Sequence, residues 1–154
     1  MNKLKKEVLE LLEQNDFENQ IQKYDKRKLV NALFPFLCST DKRIKENAVT
    51  AMGEVVSKIA ESDLESARII MRRLMLNLND ESGGIGWGAP EAMGEIMARS
   101  EKLAEEYHKI LISYTLGGGN ELDFEDLQKD VIAGLRRLSV VRPDLVEEVK
   151  HLLK

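Results

Sequence analysis

The feature that most constrains this chain is a self-similarity at a fixed offset of 41 residues. AVTAMGEVV at residues 48–56 returns as APEAMGEIM at 89–97, and the same step lands on DVIAGLRRL at 130–138. Without gaps, Ala51, Ala92 and Ala133 align, as do Val56, Met97 and Leu138. A second set keeps the same spacing: LESARIIMRRL at 64–74, EEYHKILISYT at 105–115 and VEEVKHLLK at 146–154, with KYDKRKLVNAL at 23–33 one step earlier. A regular step of this length marks a supersecondary unit that cannot bury its apolar face alone and must stack on its neighbours.

Within each unit apolar residues recur at three and four, the spacing of a helix with one buried stripe. Val49, Met52, Val56 and Ile59 form one such stripe. Ser62 with Glu65 has capping-box spacing and predicts the start of the next helix. Pro143 suits the first turn of the last helix, and Asp123 suits the cap of a helix rich in acids at its start. No alternating segments are joined by hairpin glycines, so the predicted class is all-α. The chain of 154 residues accommodates about 3.8 units of a helix pair, with units near 23–40, 41–81, 82–122 and 123–154 and an irregular N-terminal cap over 1–22.

A step in the low forties built of paired helices is the range of HEAT and armadillo repeats. DKRIKENAVTAMGEVV resembles the first helix of a HEAT-like unit, with Asp41 leading, Arg43 soon after, small residues at Ala48 and Ala51, and Gly53. GIGWGAPEAMGEI resembles a segment of uncharacterised prokaryotic HEAT-like repeat proteins. The resemblance covers nearly the whole chain and implies a short right-handed α-solenoid of armadillo type. It implies no activity. Two stretches depart from the pattern: Glu10 stands where a small alanine is wanted, and SGGIGWGAP at 82–90 replaces the helix-forming KRIKENAV of the preceding unit.

That glycine-rich stretch places Trp87, the only tryptophan, among Gly83, Gly84, Gly86 and Gly88. Each glycine disfavours helix by up to about 1 kcal/mol relative to alanine, so the next helix is expected to begin near Pro90. Three readings arise, one of them a conformational hinge at the glycines. Backbone amides beside a helix N-terminus suit an anion or an acidic peptide, with Trp87 packed on it. Alternatively the glycines let two units approach closely while Trp87 fills the gap, the ordinary role of a large aromatic. The spacing is neither a P-loop nor a dinucleotide fingerprint, so no cofactor is expected.

The same register exposes a ladder of cations, Arg27, Arg68, Lys109 and Lys150, extended on the next turn by Arg72 and Lys154. Second helices of HEAT-like proteins line the concave face, so the resemblance implies that these side chains share one groove, suited to an acidic helix, an extended acidic peptide or a phosphate backbone. A parallel ladder of Glu65, Glu106 and Glu147 lies three residues before each cation, and pairing along each helix would account for both ladders. Arg27, Arg68, Arg72 and Arg73 are then expected to be the least neutralised part of the surface.

Charge and composition narrow the function classes. Residues 1–77 carry 14 basic and 12 acidic side chains, residues 78–154 carry 9 and 15. A net charge of -4 argues against a general nucleic-acid binder. Cys38 alone permits no internal disulfide and no cysteine zinc site, and beside FPFL it is expected to be a small buried hydrophobe. The only histidines, His108 and His151, lack metal-ligand spacing and are expected at the surface. NELDFEDLQKD lacks the glycine of a calcium loop. No signal-peptide core or membrane-length apolar run occurs, which places the chain in the cytoplasm. The expectation is a non-catalytic HEAT-like scaffold or adaptor that binds another protein, without metal or cofactor. The alternative from a different class is a small enzyme or a glycosylase-like nucleic-acid-processing protein using the same groove.

Overall fold

The computed structural model describes residues 2–78 and 87–154. Among the described residues the fold is all-helical. In chain order the α-helices are α1 (Lys3–Leu12), α2 (Phe17–Gln20), α3 (Lys26–Leu33), α4 (Lys42–Ser62), α5 (Leu64–Leu78), α6 (Ala89–Arg99), α7 (Glu101–Ser113) and α8 (Glu125–Val141). Tighter 3₁₀ turns occupy Ile21–Lys23 and Phe34–Cys38, and the chain closes with a 3₁₀ segment at Pro143–Leu152. No helix among the described residues is long and apolar enough to cross a membrane.

Helix starts follow local chemistry. Asp41 accepts from the backbone amides of Arg43 and Ile44 and opens α4, while Asp25 and Ser100 cap α3 and α7 in the same way. Helix α6 begins with Pro90 in its first turn, immediately after the last glycine of the 82–90 stretch. Two expected caps are corrected. Ser62 is the last residue of α4, and Asp63 takes the capping role for α5 by accepting from the amide of Ser66 at 3.2 Å. A carboxylate accepts this bond more strongly than a hydroxyl, and the sharp turn at Asp63 leaves Ser62 one residue too early. Asp123 does not cap α8, whose preceding residue is the exposed Phe124.

The helices form two layers. In the first, α4, α6 and α8 lie side by side and parallel: Lys45 pairs with Glu91 on α6, and a Cβ at Gly53 would meet Glu95 and Arg99 further along that helix. Among the described residues the α6–α8 interface is the most extensive. It is this close because Gly94 and Gly134 face one another; a Cβ on Gly94 would come within 2.2 Å of the Gly134 carbonyl oxygen. The second layer holds α3, α5, α7 and the terminal 3₁₀ segment, each packed against first-layer helices. Arg27 and Asn31 of α3 meet Ser66 and Arg73 of α5, so these two also run parallel.

One apolar core lies between the layers. The stripe of Val49, Met52, Val56 and Ile59 is buried throughout, and Val56, Met97 and Leu138 are each fully enclosed. Close packing of this kind is where apolar burial contributes most to stability, at roughly 25 cal/mol per Å² removed from water. Cys38, expected inside, is exposed; the 3₁₀ turn of FPFLC sends Leu37 into the core and leaves the thiol outside.

Candidate functional site

The cations aligned by sequence stand mostly on the second layer, but Arg27, Arg68, Arg72 and Lys150 are bound to carboxylates. Arg27 donates to Asp63 at 2.9 Å and to the Ser66 hydroxyl at 2.7 Å. Arg68 reaches from α5 to α7 and grips Glu106 with two bonds of 2.7 and 2.8 Å, with Glu65 on its own helix at 3.4 Å. Arg72 donates to Glu65 at 2.7 Å, and Lys150 to Glu147 at 2.6 Å. The expectation that Arg27, Arg68 and Arg72 are the least neutralised cations is therefore corrected. The planar fork of a guanidinium fits a carboxylate on the neighbouring helix better than a single-point contact along its own. In taking Glu106, Arg68 also removes the partner expected for Lys109, which is exposed on α7.

The electrostatics follow this geometry. Glu106 is held below the usual carboxylate range by its bonds from Arg68, and Glu65 likewise by Arg72. Asp63 is lowered chiefly by the hydroxyl and amide of Ser66, with Arg27 adding to it. Arg68 is driven in the opposite direction, further toward permanent protonation.

A cleft of about 240 Å³ opens between α3 and α5. Its floor is apolar, made of buried Val30 and Ile70 with Ile69, whose side chain stands 49% exposed. Its rim is polar, carried by Arg27, Ser66, Asn31 and Arg73. Arg73 differs from the other arginines of the layer: it donates to Asn31 at 2.7 Å, lies 4.2 Å over the Phe34 ring, and meets no carboxylate among the described residues. Stacking on an aromatic face and one amide bond orient the guanidinium while leaving most of its donors for another group. Ile69 and the cleft floor were not legible as a site in the sequence. The available signal was that Ile69 and Leu76, seven residues apart, fall off the buried stripe of α5.

The second expected site is changed as well. Gly84 and Gly86 lie outside the described residues. Trp87 is 39% exposed, so it is not a plug that fills the core, and its fluorescence is expected to be red-shifted and readily quenched by iodide. A blue-shifted, protected emission would contradict the placement. Gly88 turns the chain into α6 with φ +85°, and a Cβ there would lie 2.0 Å from the Leu37 carbonyl oxygen, so this glycine does serve close approach. Its amide is not available to a ligand, because it donates to Asp130 of α8 at 2.5 Å.

The N-terminal end of α6 thus receives an anion from within the protein. Asp130 is buried, and its other oxygen accepts from Lys45 at 2.9 Å, while Lys45 also approaches Glu91 at 3.8 Å. Burial raises the Glu91 carboxyl above its ordinary range, opposed by Lys45 and reinforced by Asp130. A second network crosses the same layer further on: Arg99 joins Glu54 at 2.6 Å to Glu95 at 2.8 Å, and Arg137 reaches Glu95 from α8 at 3.0 Å. Both networks tie α4, α6 and α8 together through satisfied partners. Among the described residues no group of three His, Cys, Asp or Glu side chains is placed to hold a metal ion. His151 is exposed, and His108 is half-buried with its Nδ1 2.8 Å from the Ala104 carbonyl.

No family model matches the chain, nor does any curated protein or solved structure.

Proposed function

We propose that the chain is a HEAT-like repeat protein, a short right-handed α-solenoid of about four helix pairs, that acts in the cytoplasm as a non-catalytic scaffold or adaptor for another protein. Support for the architecture comes from the parallel run of α4, α6 and α8 in one layer, with α3, α5 and α7 in the other. Such stacking leaves a continuous face of second helices for recognition. The observation that carries the binding role is the α3–α5 cleft, where an exposed isoleucine sits beside an arginine held in place by Phe34 and Asn31. An apolar anchor point next to an oriented guanidinium is the combination on which protein interfaces concentrate their energy. The pairing of Arg27, Arg68 and Arg72 with carboxylates counts against a phosphate backbone as the ligand, since those cations would first have to break internal pairs.

The test is affinity capture from the native lysate with the wild-type chain and with Ile69→Asp. The expected result is one protein recovered in stoichiometric amount by the wild type, lost with the variant, and rebound when both components are purified. Recovery of nucleic acid in its place, or of a protein that binds both forms equally, overturns the proposal.

A further inference from the structure

We infer that the α3–α5 cleft is the seat of an acidic amphipathic helix belonging to a partner protein, an inference that rests on the reading of the second layer as a protein-binding face. Charge is unevenly distributed along that layer. Helix α3 carries three basic side chains and no acidic one, and α5 carries three arginines against Glu65. Helix α7 carries three glutamates against two lysines, and the terminal 3₁₀ segment three acids against Lys150. The layer is therefore basic at its α3–α5 end and acidic at the other; Arg27, Arg68 and Arg72 are internally paired, so the charge open to a partner beside the cleft is that of Lys26, Lys28 and Arg73, which meet no carboxylate among the described residues. On the far side of Asn31 a second cleft, of about 190 Å³ between α1 and α3, adds Lys5 and Lys28 to the rim.

The apolar pattern sets the shape of the occupant. Ile69 and Leu76 are 49% and 67% exposed. Seven residues apart on one helix, they project from the same face about 10 Å apart along the axis. A helix laid along α5 meets such a pair with its own apolar residues two turns apart, the usual spacing of anchors in helix-in-groove recognition. Arg73 lies between the two anchors, fixed by Phe34 and Asn31, with N–H groups left to donate to a bidentate carboxylate. The chain cannot readily supply this helix itself. Its acidic helix α7 already buries Leu103, Ala104, Tyr107 and Leu111 in the core, and the terminal 3₁₀ segment buries Val146 and Val149. Among the described residues, the acidic elements of a second copy therefore present no free apolar stripe of this spacing, which favours a partner protein as the source of the helix.

The experiment is selection of a displayed random-peptide library, long enough for several helical turns, on the purified full chain, followed by anisotropy titration of the winning synthetic peptides. Sequences of net negative charge with apolar residues two turns apart are expected. They should bind at least about tenfold more weakly to Ile69→Asp and Arg73→Glu, and more weakly at high salt. Both positions are exposed, so circular dichroism should show the variants folded, and a peptide with lysine in place of its central carboxylate should regain binding to Arg73→Glu. Winners that depend on Ile69 but carry no acidic bias overturn the inference and leave the protein-binding reading standing. If no winner distinguishes wild type from either variant, both fall. A wild-type dimer in sedimentation equilibrium that Ile69→Asp dissociates assigns the cleft to a second copy and overturns the inference.

Discussion

Replacing Gly94 by alanine is expected to destabilise the protein by about 3 kcal/mol or more, while the same change at Gly53 is expected to cost clearly less. The two glycines are 41 residues apart and sit in the same sequence context, AMGE. Their surroundings differ. A Cβ on Gly94 would meet the oxygen, the Cα and the carbonyl carbon of Gly134 at 2.2, 2.4 and 2.5 Å. All of these are backbone atoms of α8, so the whole helix must retreat from α6 and open the most extensive interface among the described residues. A Cβ on Gly53 would meet Glu95 Cγ at 2.5 Å and the Arg99 side chain at 3.2 Å, so the strain falls on two side chains that must shift within their ion-pair network and not on the backbone of a neighbouring helix. The gain of about 1 kcal/mol when alanine replaces glycine inside a helix offsets part of that strain. Thermal unfolding followed by circular dichroism checks both. For a chain of this size the Gly94→Ala midpoint should fall by roughly 6–12 °C or more. Equal midpoints for the two variants would show that α6 and α8 do not approach this closely.

Asp130→Ala is expected to cost about 3 kcal/mol. The substitution removes two contacts at once, leaving the Gly88 amide buried without an acceptor and Lys45 with only the longer contact to Glu91. A backbone donor stripped of its partner in the interior carries its full desolvation cost, and here it belongs to the residue that sets the entry into α6. Asp130→Asn retains an acceptor for Gly88 while giving up the charge, so its loss should be smaller. Urea unfolding of the two variants and the wild type measures the difference directly through the shift in midpoint. An Asp130→Ala variant as stable as the wild type would mean that the carboxylate does not anchor the start of α6.

The residue pattern revealed the helices more fully than the contacts between them. Asp41 before KRIKENAV, Pro90 after the glycines and Pro143 before DLVEEV are local signals, and each stands at or near a helix start. Even here side-chain chemistry decided details, since Asp63 rather than Ser62 accepts the capping bond and no side chain caps α8. Cys38 and Trp87 illustrate a different limit. Both are types that favour the interior, yet one faces outward on a 3₁₀ turn and the other lies exposed at the edge of α6. Orientation at a turn depends on backbone direction, which composition does not carry.

The candidate site was legible in its cations but not in its architecture. Equal spacing placed Arg27, Arg68, Lys109 and Lys150 together on the second helices, and periodicity could go no further. Whether Arg68 takes Glu65 three residues back or Glu106 on α7 depends on the distance between two helices, and the cross-helix pair prevails at 2.7 Å against 3.4 Å. Once it forms, Lys109 loses its local partner; Arg73 is oriented separately, by Asn31 and Phe34, without a carboxylate partner among the described residues.

By itself the sequence determined that this chain is helical, that Val49, Met52, Val56 and Ile59 form a buried stripe, and that helical segments start near Pro90 and Pro143, because those properties are set by neighbours within one or two turns. The tertiary structure alone decided which of two like glycines is irreplaceable, which carboxylate each arginine takes, and that Ile69 stands beside an open cleft. Those outcomes turn on ångström-scale distances between helices far apart in the chain, which no local spacing encodes.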